Sequence, residues 1–220
     1  MAINYNSKLL DTINKVREGK DQSFTIGYNV SNSFFDSKTG IVNPNLSAEN
    51  IREEAVKSIQ VWANTFSAMY ASNKKVKASL SFKIVNTVDN KNDLNIQFTT
   101  SSSSESLNIS SSIVKISNKD VWKSSDKIIG KNIFNYFTHA VGRLLGLDAN
   151  KTSKSVMNLS SIRSLDVSNL ITNTKVINNI KIKYGTLRYS YPIVFGCTDP
   201  KSNNYNPKAT RSDKSCVYKN

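Results

Sequence analysis

Histidine is almost absent from this 220-residue chain, with His139 the only one. Ser-His-Asp and Cys-His catalytic sets both need a histidine base, so neither can be built away from His139, and no such set is arranged around it. The two cysteines, Cys197 and Cys216, are too few for a sulfur-ligated zinc module, which takes three or four protein ligands. No run approaches the roughly 18 apolar residues that a membrane-spanning helix needs. The opening Met-Ala-Ile-Asn-Tyr-Asn-Ser-Lys has no apolar signal-peptide core, so the expectation is a protein off the membrane and not exported by that route. Acidic residues are also scarce, 16 against 30 Lys and Arg, for a net charge of +14. That balance brings nucleic acid, an anionic surface or an acidic protein face into consideration as partners. The lysines are scattered, however, with no dense basic block, no zinc-finger or RNA-recognition signature and no aromatic residues interleaved in a basic run, so nucleic-acid binding is not the favoured class. Abundant Lys, Asn, Ile and Ser with few Gly and Arg is the composition of an AT-rich coding genome.

What is present suffices for one domain of roughly 150–200 residues and something smaller. Residues 1–21 read as a polar arm with a short amphipathic helix, Leu9 to Val16. Phe24 to Val30 alternates apolar and polar residues at the period of a half-buried strand, and Asp36 to Asn45 supplies turns. A long helix follows, with Ser47 as its cap, Glu49 in its first turn, and Leu46 and Ile51 spaced as a hydrophobic staple. Ile51, Ala55, Ile59, Trp62, Phe66 and Met69 form its buried stripe. Val76 to Ile84 predicts a second strand, Leu94 to Phe98 a third, Leu107 to Ile116 one or two more, and Val121-Trp122 a short extended piece. The Ser-rich run Thr99 to Glu105 reads as a loop. Asn132 to Leu145 is a second long helix with Ile133, Phe134, Phe137, Val141, Leu144 and Leu145 on its buried side, and Gly146 stands where a helix-terminating glycine belongs. Leu165 to Ile182 is a third helical region, with Leu170, Ile171, Ile177 and Ile180 as packing residues, closed by Tyr184-Gly185.

The second long helix carries Phe137-Thr-His-Ala-Val-Gly-Arg-Leu-Leu-Gly-Leu-Asp-Ala149. With Ser155-Val-Met-Asn158 after it, the segment resembles the zinc helix and Met-turn of the metzincin metalloproteases, whose pattern is H-E-x-x-H-x-x-G-x-x-H. The element order and three further pieces, Asp93-Leu-Asn-Ile-Gln-Phe98, Leu145-Gly-Leu-Asp148 and Lys183-Tyr-Gly185, are similar to the matrixin branch over about residues 22–185. The resemblance implies a zinc endopeptidase, and the residues themselves argue against one. At the pattern's positions stand His139, Ala140, Arg143, Gly146 and Ala149. Arg143 cannot deprotonate to bind a metal, Ala149 offers no donor, and Ala140 removes the base that would take a proton from metal-bound water. His139 reads as a packed relic, while Gly146, Asp148 and Met157 read as scaffold. Arg143 either fills the vacated metal region, paired with Asp148 or a loop carboxylate, or reaches solvent.

Beyond a linker at 186–195, residues 196–220 contain Gly196-Cys-Thr-Asp-Pro200, Asn204-Tyr-Asn-Pro207, Ala209-Thr210 and Asp213-Lys-Ser-Cys216. This is similar to a short Cys-bounded module near the ends of surface and virion proteins of marine bacteria and their viruses. The usual acidic-Gly pair before the last cysteine is Asp213-Lys214 here, which speaks against calcium binding. So few apolar residues cannot hold a core, and a Cys197–Cys216 bridge is the expected staple, with reduced thiols as the open alternative. On the chain-entropy model such a loop closure contributes about 3 kcal/mol.

The combined expectation is an α+β protein with a metzincin-like mixed twisted sheet, two long packing helices and a C-terminal helix, followed by the Cys-bounded tail. It would have no catalytic residues, no metal and no cofactor. Its expected role is as a structural or interaction component of a virus or bacteriophage particle, in capsid, neck or tail. Assembly would take place in the host cytoplasm with other virion proteins as partners. The alternatives are a pseudoprotease that binds peptides as decoy or inhibitor, a basic nucleic-acid-binding protein, and a hydrolase using an unrelated site.

Overall fold

The computed structural model describes residues 6–36, 40–41, 46–73, 75–123, 131–150, 154–160, 162, 165, 167–168, 170–187, 195–197, 199–206, 211–212 and 214–218. Several sequence expectations therefore fall outside the described residues, among them parts of the 36–45 turn and of the linker, positions 166 and 169, and Thr198, Pro207, Ala209, Thr210 and Asp213 of the tail motif. The chain forms two compact units, residues 1–187 and 188–220.

The first unit is α+β. Its elements run α1 (Ser7–Arg17), β1 (Gln22–Val30), α2 (Ala48–Met69), β2 (Leu80–Val85), β3 (Leu94–Ser101), β4 (Leu107–Ser110), β5 (Ile113–Ser117), β6 (Trp122–Lys123), β7 (Lys131–Asn132), α3 (Ile133–Leu144) and α4 (Thr174–Tyr184), with 3₁₀ turns at Asn32–Phe34 and Leu170–Thr172. Five strands make one sheet in the order β2-β1-β3-β5-β4, and β6 pairs with β7 separately. β1, β2, β3 and β5 are mutually parallel, and β4 alone runs antiparallel, at the edge, with Leu107 opposite Ile116.

Local chemistry accounts for the long helices. At the start of α2 the Ser47 hydroxyl accepts from Asn50 N–H at 3.1 Å and the Asn50 side chain accepts from Ser47 N–H at 3.2 Å, so two otherwise orphaned donors are satisfied reciprocally. Leu46 and Ile51, flanking this cap, are both buried. The stripe Ile51, Ala55, Ile59, Trp62 and Phe66 is also buried, while Met69 at the helix end is half-buried. Rings then link helices to sheet: Phe66 contacts Phe82 of β2 and Tyr184 of α4, and Phe98 of β3 meets Phe137 of α3 at 4.5 Å between centroids. Of these rings Phe66, Phe98, Phe137 and Tyr184 are buried, and each contributes roughly 1.5–3 kcal/mol before its ordering entropy is subtracted.

Leu9, Ile13 and Val16 of α1 are completely buried. The Tyr184 hydroxyl donates to Leu145 O and accepts from Asn6 N–H at 3.0 Å, joining α4, the end of α3 and the start of α1. Burial pushes that hydroxyl's pKa up to about 12.

Three expectations about local structure are revised. Val76 and Ala78 are buried, but β2 begins only at Leu80. Thr99, Thr100 and Ser101 belong to β3 rather than to a loop, because their backbones pair with Lys115, Ile116 and Ser117 of β5. The last α-helix starts at Thr174, where the Asn173 side chain accepts from Lys175 and Val176 N–H; Val176 and Ile180 pack inward while Ile171 is exposed.

The second unit holds two parallel two-residue strands, β8 (Phe195–Gly196) and β9 (Arg211–Ser212), and a disulfide between Cys197 and Cys216. The expected bridge is formed and the reduced alternative is not.

Candidate functional site

A cleft of about 920 Å³ lies between the segment 104–107 leading into β4, helix α3, and the segments 149–150 and 157–160. Of the six positions that the metzincin resemblance singles out, His139, Ala149 and Met157 line it, whereas Ala140, Arg143 and Gly146 do not. Tyr136 and Glu105 are the other ionisable residues among the described ones that line it.

Helix α3 is positioned from its buried side. Gly142 sits where a Cβ would come within 2.5 Å of Trp62 Cζ2 and 2.8 Å of Met157 Sδ, so only glycine lets α2 and the 155–158 turn close on the helix together. The Trp62 indole N–H donates to Thr138 O at 2.7 Å, binding α2 to α3 by a buried polar contact as well. Below the helix the turn is self-supporting: Met157 N–H donates to Ser155 Oγ at 3.0 Å, Asn158 N–H to Ser155 O at 2.9 Å, and Asn150 N–H to Met157 O at 2.7 Å. Asn135, one turn before His139, donates through its side-chain amide to the carbonyls of Ile162 and Leu165, fixing the chain beyond the turn.

The helix ends at the glycine that its sequence places there. Gly146 has φ of +83°, Leu147 N–H donates to Gly142 O at 3.0 Å, and Gly146 N–H donates to Arg143 O at 3.0 Å, the paired bonds of a left-handed C-terminal cap. Arg143 completes this cap, its Nη1 donating to Leu147 O at 2.7 Å. The pairing considered for Arg143 with Asp148 does not form. Asp148 instead binds the buried Lys183 ammonium at 2.7 Å, and the exposed Arg143 lines a separate polar cavity of about 570 Å³ with Lys8, Asp93 and Ser111. A charged group at the terminal carbonyls suits the negative end of the helix, so Arg143 has a structural reason to stand where it does.

His139 is buried, with Nδ1 2.7 Å from Val156 O. A carbonyl can only accept, so Nδ1 carries the proton and Nε2 holds the free lone pair of the neutral ring. Burial lowers its pKa below the usual 6.5; the bond to Val156 acts in the opposite sense, and the Arg143 charge lowers it further. A neutral imidazole with one lone pair is a competent metal ligand, but Ala140 and Ala149 supply no second donor and the Arg143 guanidinium is turned to the Leu147 carbonyl.

Gly142 is the site residue that sequence reasoning passed over. A glycine inside a helix costs about 1 kcal/mol relative to alanine, and that unfavourable choice between Val141 and Arg143 was the available signal of a close approach. No family model matches the chain, and neither does any curated protein compared with it.

Proposed function

We propose that this chain is a non-enzymatic structural and interaction protein built on a dismantled metzincin-type scaffold, and that it serves as a component of a virus or bacteriophage particle. The observation that carries the proposal is the division of the zinc-type segment. Its scaffold residues Gly146 and Met157 are used as packing and turn elements, while His139 stands in the cleft without a second nitrogen or carboxylate donor at the pattern's positions. The mixed sheet with a single antiparallel edge strand, the helix α3 beneath it and the Met157 turn support the metzincin reading. The disulfide-bounded tail supports the particle reading, since particles released by lysis meet an oxidising medium where such a bridge persists. The test is co-sedimentation with intact particles from a lysate of the source, with detection by peptide mass spectrometry. Co-migration at fixed stoichiometry is the expected result, and recovery only in the soluble fraction overturns it.

A second reading, a pseudoprotease that holds peptides, is favoured by the cleft remaining open beside β4. Binding from a peptide library that Ala149→Trp abolishes would establish it, because Ala149 is exposed and lines the cleft. The basic charge keeps nucleic acid as a third partner, for which affinity would fall steeply with added salt.

A further inference from the structure

Both cysteines of the chain lie in the 188–220 unit, and residues 1–187 contain none. Among the described residues of the tail the bridge takes the place of a core. Its apolar side chains at Tyr205, Val217 and Tyr218 are 42%, 55% and 55% exposed, whereas Cys197 is 1% exposed. Besides the β8–β9 pairing and the turn bonds within 197–206, four hydrogen bonds join the segment after Cys197 to the residues around Cys216. Asn203 N–H donates to Val217 O at 2.8 Å, Val217 N–H to the Asn204 side chain at 2.9 Å, the Asn204 amide to Ser215 O at 2.7 Å, and the Tyr218 hydroxyl to Asp199 at 2.7 Å. These bonds are at the surface, where water competes for every donor and acceptor, so each adds little net stability. They are also clustered within two residues of Cys216, so their register depends on where the bridge holds that residue.

We infer that the tail is a redox-gated unit: its described residues keep their fold only while Cys197 and Cys216 are joined, and the first unit folds regardless of redox state. Opening proceeds by thiol–disulfide exchange with a dithiol. The dithiol's two sulfurs are oxidised to a disulfide, and Cys197 and Cys216 together take up two electrons and two protons. In a reducing cytoplasm the chain would thus carry a folded first unit and an unstructured tail, and the tail would close on reaching an oxidising medium. The inference does not depend on the particle reading, since it rests on where the cysteines and the apolar side chains lie.

The test is hydrogen exchange followed by mass spectrometry on the full chain, before and after dithiothreitol, with the gain of two hydrogens verified on the intact mass. Expected on reduction is a loss of protection on the order of a hundred-fold in peptides covering Asn203 and Val217, with no change in peptides from α2 and α3. The double variant Cys197→Ser/Cys216→Ser should show the same open tail without reductant and no response to it. Tail peptides that stay protected after reduction or in the double variant would overturn the inference, as would loss of protection in α2 and α3 alongside the tail.

Discussion

The two sides of helix α3 have been treated differently. Its packed side keeps a tight fit, with Gly142 under Trp62 and Met157, Phe137 against Phe98, and Thr138 O bound to the Trp62 indole. Its cleft side presents Tyr136 and His139 and, beyond the helix, the exposed Ala149. Packing constrains residues through volume, and any change on the inner side is felt by every neighbour. Chemistry constrains residues through donors and protons, and those can be lost without disturbing the fold. Gly142, Met157 and the aromatic residues thus have structural reasons to stand where they do, independent of any chemistry in the cleft.

This contrast predicts a steep gradient of mutational cost. Met157→Ala should have the largest effect, about 2–5 kcal/mol, since it empties a fully buried volume beside Gly142 and Trp62. Urea unfolding followed by tryptophan fluorescence would read it. A loss below 1 kcal/mol would mean that the turn is loosely packed and the contrast is overstated. Gly142→Ala should follow at about 1–3 kcal/mol, because the new methyl meets an indole carbon on one side and a sulfur on the other; the flexible methionine can yield, but the ring hydrogen-bonded to Thr138 cannot easily do so. In an exposed helix the same substitution would be stabilising, so the sign of the change alone is decisive.

Arg143→Leu is expected to cost less, about 0.5–1.5 kcal/mol, for the loss of one charge-assisted bond to Leu147 O at the surface. At roughly 2–4 °C per kcal/mol for a unit of this size, a fall of a few degrees in Tm is expected. An unchanged Tm would show that Gly146 ends the helix without help from the guanidinium.

Much of the scaffold was legible because local signals agreed. The Ser47 cap, the Leu46–Ile51 staple and the apolar stripe of α2 all pointed to one helix, and Gly146 marked the end of α3 through a backbone conformation that glycine adopts at little cost. Where sequence reading stopped short, a tertiary partner decided. Thr99 to Ser101 look like loop residues but are held in β3 by backbone bonds to β5, which polar side chains do not prevent. Val76 and Ala78 alternate as in a strand, yet the alternation recorded burial and not pairing. Ile171 fits an apolar period but precedes the Asn173 cap, so it lies outside the helix that would have turned it inward. The lack of metal donors at Ala140 and Ala149 was visible in the residue types alone. The destination of Arg143 was not, because it depends on the Leu147 carbonyl brought back by the turn and on Lys183 having already claimed Asp148.

The smallest expected effect is also the most specific to the cleft side. Burial holds the His139 pKa below that of the unfolded chain, so near pH 7 the ring is mostly neutral in both states and folding exchanges only a small fraction of a proton there. As pH falls below about 6.5, the unfolded chain takes up a proton on this residue before the folded one does. The unfolded state then binds more protons, and stability declines with falling pH until the folded ring also titrates. Replacing the histidine should remove this component whatever the substitution costs at pH 7. His139→Asn keeps a side-chain donor for the Val156 carbonyl, making it the variant of choice. Urea midpoints measured from pH 7.5 down to pH 5 should converge, with the wild type losing more stability than the variant over that interval. Parallel curves would mean that the ring titrates as it does in the unfolded chain, and that the cleft side of α3 is as open to water at His139 as it is at Ala149.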